Sequence, residues 1–258
     1  MLSRFLDRPT VRVVMKESLL MARDTGRLGQ LLLLVALVVV YLYNFTVLPS
    51  LDNPAATRAL KTAIAFVNIG LAGFVLASLG VRFIFPAISA EGRAFWILKS
   101  SPISLRRIFW VKFFFYLVPM FMLGLFLVVM TNKLLGLGAF MFVISTMSVT
   151  ALTIGITSLS IGMGVLHADF KDVDPNRAFT GFGALLTMLY AGIAVASIIA
   201  LEAYPVYRLT IAKFFGVGIR NGEYFVIALC FCAALTITLY LIIKPLKMGL
   251  SKIAELEI

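Results

Sequence analysis

The chain has 258 residues, 61% of them hydrophobic, and its mean hydropathy of +1.02 exceeds that of soluble domains, whose apolar share is nearer half. Runs of about 20 apolar residues recur, each long enough to cross roughly 30 Å of hydrocarbon, so the chain is an integral membrane protein rather than a soluble fold. Lys and Arg number 23 against 12 Asp and Glu, a net charge of +11 that membrane topology accounts for without nucleic acid.

Residues 1–28 form the first region. They are basic and lack the continuous apolar core of a cleavable signal peptide. From Val11 to Arg27 the sequence VRVVMKESLLMARDTGR places Val11, Met15, Leu19 and Ala22 on one helical face. Arg12, Lys16 and Arg23 lie toward the polar side, with Asp24 after them. This predicts an amphipathic helix resting on the inner leaflet of a lipid bilayer, each basic residue near anionic lipid contributing roughly 1 kcal/mol. A disordered basic tail is the alternative, and the apolar periodicity argues against it.

Residues 29–258 form a transmembrane domain with six predicted spans, at about 29–48, 62–85, 108–131, 137–166, 180–204 and 223–243. An even number puts both termini on one side. With the N-terminus inside, 17 of the Lys and Arg residues fall on the inner side and 6, namely Arg58, Lys61, Lys133, Arg208, Lys213 and Arg220, on the outer. That bias predicts a multi-pass protein of the bacterial inner (plasma) membrane with both termini cytoplasmic. The fold class is all-α.

Within the second span, Gly70, Gly73, Ala77 and Gly80 make a small-residue face, and Asn68 is the one strongly polar side chain deep in it. The stretch FPAISAEGRAFWILKSSPIS, residues 85–104, interrupts the apolar pattern. Pro86 is expected to end the second span. Ser89 can cap a short helix with Glu91 in its first turn, and Phe95, Trp96, Ile97 and Leu98 with Arg93 and Lys99 make that helix amphipathic. Ser101-Pro102 restarts a helix, and Arg106 and Arg107 anchor the third span.

Pro119 predicts a kink in the third span. In the fourth, Thr146, Thr150, Thr153, Thr157, Ser160 and Gly164 recur at spacings of four and three. This small, weakly polar stripe reads either as close helix packing, the preferred reading, or as the lining of a path. Tyr204-Pro205 is expected to close the fifth span. The following PVYRLTIAKFFGVGIRNG is too short and charged to span and predicts a separate outer helical or re-entrant segment, turned at Gly216, Gly218 and Gly222. Cys230 and Cys232 sit two apart in an apolar run and fit neither a disulfide framework nor a zinc site.

Catalytic chemistry is sparse. The one histidine, His167, lies beside Asp169, Asp172 and Asp174. With no second imidazole or nearby cysteine the group reads as a solvated acidic loop, so no metal is expected, and no Ser-His-Asp or Cys-His set is credible. No G-x-x-x-x-G-K-[ST] loop exists, and Gly181-Phe-Gly183 alone reads as close packing. The spans are read as lacking buried charges, with Glu202 hydrated at the outer end of its span.

Together these parts resemble the membrane subunit of the type-two ATP-binding-cassette exporters. The 85–104 stretch, with Phe85-Pro86, Ser89-Ala-Glu91-Gly92-Arg93, Phe95-Trp96 and Ser101-Pro-Ile-Ser104, resembles the signature of a bacterial group of cassette permeases. Arg23-Asp24, Gln30, Tyr41, Asn44, His167-Ala-Asp-Phe170, Thr180-Gly-Phe-Gly183 and Leu201-Glu-Ala are similar to that group as well. Asp172-Val-Asp174-Pro175 departs from it. Permeases of the group are often longer, with two similar halves, and this chain resembles the second half.

The resemblance implies a permease subunit of an ATP-driven exporter that forms a translocation path with a second membrane half, either a copy or a relative. It implies separate ATPase subunits holding ATP and Mg, with no cofactor and no enzymatic activity in this chain. The 85–104 stretch would then be a coupling helix docking into that ATPase: Glu91, Gly92 and Arg93 would face the partner while Phe95 and Trp96 lock the helix to the bundle. The alternative function is a membrane scaffold or accessory protein with no transport path, for which the same helix is an interfacial anchor.

Overall fold

A computed structural model of the chain describes residues 8–23, 29, 35–36, 38–43, 54–94, 100, 103–168, 181–218 and 220–257. Long helices dominate, and no strand occurs among the described residues. The helices are α1 (Arg8–Arg23), α2 (Pro54–Leu79), α3 (Leu105–Leu135), α4 (Ala139–Leu166), α5 (Phe182–Phe215) and α6 (Asn221–Glu257). Five segments are long and apolar enough to cross a membrane: Thr57–Gly92, Leu105–Leu135, Ala139–Leu166, Phe182–Ala212 and Asn221–Glu255. The span predicted at 29–48 lies largely outside the described residues. Its residues 38–43 are helical, and Val38 joins the core.

Helix α4 sits at the centre and touches each of α2, α3, α5 and α6. It can do so because its surface is small. Gly155 lies under the Leu241 side chain, Gly162 under the Pro245 backbone and Gly164 under the Phe85 carbonyl. On the same helix Leu152, Ile156 and Ile161 are fully buried. In lipid, apolar contact offers little drive for helices to associate, so backbones that approach closely gain dispersion that larger side chains would forfeit. Neighbouring pairs repeat the device: Gly73 of α2 faces Val195 of α5, and Gly124 of α3 faces Thr153 of α4. The outer faces stay apolar and exposed, as with Phe114, Val118 and Met122 on α3 and Phe225 and Leu229 on α6.

Two turns differ from the sequence expectation. Helix α2 does not stop at Pro86. It passes through a π-helical turn (Gly80–Ile84) and a 3₁₀ turn (Phe85–Ala87). Pro86 stands at the start of the second, where its missing N–H costs no bond. Helix α5 does not close at Tyr204-Pro205 but runs through Pro205 to Phe215, so its outer segment continues the spanning helix. A proline inside a helix removes one ladder bond without forbidding the next turn. The stop comes at Gly216, whose left-handed backbone (φ 66°) ends the helix. Pro119 likewise lies within an uninterrupted α3.

One end of the bundle gathers α1, the segment after α2, the start of α3 and the ends of α4 and α6. There the Gly164 backbone meets Phe85, Gly249 approaches Phe109 and His167 lies against Gly183. At the far end α2 begins beside the Gly136–Gly138 turn and Thr210 of α5. There, too, Asn132 Nδ2 donates to Ser145 Oγ at 2.6 Å, joining α3 to α4.

Candidate functional site

Glu17, Glu91 and Lys112 come from α1, the segment after α2, and α3, and their side chains are 5%, 4% and 2% exposed. Burying any one alone would cost several kcal/mol, because an ion taken out of water recovers its hydration only through partners. The structure supplies them. Lys112 Nζ lies 2.7 Å from Glu17 Oε1 and 2.7 Å from Glu91 Oε1, and it donates to the Ala87 carbonyl at 2.7 Å. The ammonium thus donates a hydrogen bond to the backbone and meets both carboxylates as ion pairs. The second oxygen of Glu91 pairs with Lys16, which is part-exposed on α1. The second oxygen of Glu17 accepts from the Tyr116 hydroxyl at 3.2 Å. Two carboxylates thus meet two ammonium groups.

Local sequence explains how each member gets there. Glu17 lies on the buried face of α1 with Thr10 and Val13, whereas Met15, Leu19 and Leu20 point outward. The helix therefore presents two faces, one apolar and exposed, the other ionic and packed against α3. Lys112 falls one turn before Tyr116 on the α3 face that looks toward α1. Glu91 is placed by the turn that follows α2: its N–H bonds the Ile88 carbonyl at 3.2 Å. At the next residue, Gly92, the backbone flips to φ 49°, ψ −134°, a region open essentially to glycine alone.

The predicted site residues divide as follows. Glu91, expected to face a partner, is buried among Lys16, Lys112 and the bundle, because those two ammonium groups pair with its carboxylate. Of the short coupling helix expected from Glu91 to Ser100, the described part is 3₁₀ turns over Ser89–Ala94, broken at Gly92, and residues 95–99 lie outside the described residues. Arg93 belongs to this backbone, while Phe95 and Trp96 lie outside the described residues. Arg12 is exposed on α1, Lys16 joins the ion pairs, Arg23 ends α1, and Asp24 lies outside the described residues. Of the α4 stripe, Thr153, Thr157 and Ser160 are fully buried, and Thr146 and Thr150 are partly so. Thr150 and Thr153 bond carbonyls of their own helix.

Glu17 and Lys112 escaped sequence reasoning, which read the spans as free of buried charge. Glu202 is also buried, 8% exposed, and accepts from Ser148 Oγ at 2.7 Å, so it is not the hydrated end group expected. The one available signal was a carboxylate among the basic residues of an amphipathic helix. No group of three or more potential metal ligands occurs among the described residues. Asp169, Asp172 and Asp174 fall outside them.

The whole chain, residues 1–258, matches the family model described as "Putative ATP-binding cassette", and the chain belongs to that family. No curated protein and no solved structure matches it. The description names an ATP-binding component. It overturns the assignment to the permease subunit of an exporter, or to half of a longer permease, and the function built on that assignment. It overturns equally the expectations that the chain is no enzyme and that ATP and Mg belong to a partner subunit alone. The non-transporting scaffold gains no support either.

The residues on view do not fit a nucleoside triphosphate. A phosphate cradle of the usual kind needs a strand, a glycine-rich loop and a Lys at the start of a helix. No strand is present among the described residues, and no Gly-Lys pair occurs anywhere in the sequence. Family description and geometry diverge on this point, and no step through ATP is derived.

Proposed function

We propose that this chain works within a membrane as part of an ATP-binding-cassette transporter assembly, with its ion-paired node as the junction through which movement is passed. Five helices of spanning length and apolarity support insertion. Arg12, Lys16, Arg82, Arg106, Arg107, Lys112, Lys244, Lys247 and Lys252 lie toward the node end, and Arg58, Lys61, Lys133, Arg208 and Arg220 toward the far end. That excess supports a cytoplasmic node end in a plasma membrane, carrying α1 and the end of α6.

The Lys112 node carries the functional reading. Glu91 cannot be displaced alone without parting from Lys112 and Lys16, and separating a buried ion pair costs about 3–5 kcal/mol. A push on the Glu91-Gly92-Arg93 segment, or on Phe95 and Trp96 after it, therefore costs less if α1 and α3 move with it. Another subunit of the assembly engaging this segment would shift three elements together. Gly92 is the compliant point beyond the node.

The test is purification of the full chain from its membrane in mild detergent, followed by identification of bound subunits and measurement of ATP hydrolysis by the assembly. Another subunit of the transporter assembly is expected to co-purify. Lys112→Met, checked for folding by melting, is expected to change the hydrolysis rate, while Lys252→Gln, in the exposed pair with Glu255, leaves it unchanged. A chain that purifies alone, or equal rates in both variants, overturns the reading.

A further inference from the structure

We infer that the groove between α4, α5 and α6 binds an anionic phospholipid drawn from the leaflet on the node side. The groove encloses about 570 Å³ and is walled by apolar side chains such as Leu159 and Leu241. Its rim includes Tyr190 and Ile193, both more than half exposed on the outer face of a helix of spanning length. An occupant therefore enters sideways from hydrocarbon, and an acyl chain is what hydrocarbon offers.

Polar groups gather at the node end of the groove. Lys244 lines it and is held in place by the Tyr240 hydroxyl and by the same ring, whose centroid is 4.7 Å from Nζ. The His167 ring lines the same end. Its Nδ1 donates to the Met163 carbonyl at 3.1 Å. Gly183 closes over the ring, and Phe85 lies 6.4 Å away, centroid to centroid, so the imidazole is fixed before any ligand arrives. No carboxylate lines the groove among the described residues. A phosphate therefore finds a cation, whereas the quaternary ammonium of a zwitterionic lipid finds no counter-charge. That asymmetry selects an anionic head group.

Native mass spectrometry of the full chain, reconstituted with phosphatidylglycerol or phosphatidylcholine, reads the retained lipid on the chain alone, separately from the assembly reading above. Phosphatidylglycerol is expected to be retained about tenfold more strongly, or about 1.4 kcal/mol, because phosphatidylcholine brings an ammonium without a counter-charge beside the same lysine. Lys244→Gln should abolish that preference. Ser197→Leu, which fills the groove, should lose both lipids while the melting temperature holds. Equal retention of the two lipids, or a preference unchanged in Lys244→Gln because the lysine merely reaches for the interface, overturns the inference. So does retention that appears only when Asp169, Asp172 and Asp174 are changed to Asn, since the chain's own acidic segment would then be the occupant.

Discussion

Lys112 Nζ stands 2.7 Å from Glu17 Oε1, and through this contact an amphipathic helix near the N-terminus is fastened to one end of a spanning bundle. The same nitrogen holds Glu91 and the Ala87 carbonyl. One side chain therefore fixes the position of three segments relative to one another. Apolar packing alone would allow α1 to slide along α3, because contact with lipid is nearly as favourable as contact with protein. Ionic contacts in a dry site are directional, and they choose one docking position.

Removing the central ammonium should be costly. Lys112→Met keeps the apolar volume but leaves Glu17 and Glu91 buried with Lys16 as their one remaining cation among the described residues. The expected loss is about 3–5 kcal/mol, read as a lower midpoint in thermal or denaturant unfolding of the detergent-solubilised chain. Adding Glu17→Gln to Lys112→Met should restore part of the loss, a coupling of about 0.5–3 kcal/mol. Strictly additive effects would show that the two groups do not share one site.

Lys16 should matter much less, although it pairs with the same Glu91. Its side chain is 39% exposed, so water and salt screen the pair, and Lys16→Gln is expected to cost at most about 1 kcal/mol. The difference should shrink as ionic strength rises, whereas the Lys112→Met penalty should not. Comparing the two variants at low and high salt checks this. Equal salt sensitivity would place both ammonium groups at the surface.

This contrast marks what the sequence makes legible. Helices of spanning length, a small-residue face on α4 and a helix near the N-terminus all follow from composition and spacing, because each is set by residues within a few turns. Pairing of Glu17 with Lys112 is not of that kind. Nothing in VVMKESLL distinguishes a carboxylate that will be buried from one that stays in the interface, and Lys112 reads as one more cation flanking a span. The course through Pro205 was hidden for another reason: proline permits a helix to continue as well as to stop, and packing of α5 on α2 and α4 decides. The resemblance reached the cassette transporters, but the ATP-binding component that the family description names was not legible, since the residues that announce a phosphate site are missing from the sequence.

Gly92 supplies a backbone test. Its φ of 49° with ψ of −134° is disfavoured for any residue with a Cβ, at about 1–3 kcal/mol. Gly92→Ala should destabilise by that amount and turn the chain after Glu91 onto another course. Limited proteolysis between residues 90 and 104, together with the melting midpoint, reports both effects. A variant with unchanged melting and cleavage would mean that this conformation is not required.

Gly164 offers the sharpest packing test, because it controls how the segment after α2 reaches the node. A Cβ at this position would run into the Phe85 carbonyl oxygen, which belongs to the backbone and cannot rotate away. Relief requires the Phe85–Ala87 turn to lift from α4, and Ala87 carries the carbonyl that Lys112 grips. Gly164→Ala should therefore cost about 1–3 kcal/mol through overpacking. It should also blunt the effect of a second substitution at Lys112, since the grip is already loosened. Gly222→Ala serves as the control, because nothing lies within 4 Å of its Cβ position and alanine suits a helix better than glycine. Unfolding midpoints of Gly164→Ala, Gly222→Ala and the Gly164→Ala/Lys112→Met double variant decide the matter. If the double variant loses the full sum of the single effects, the turn and the node are independent, and the close approach of α4 serves packing alone.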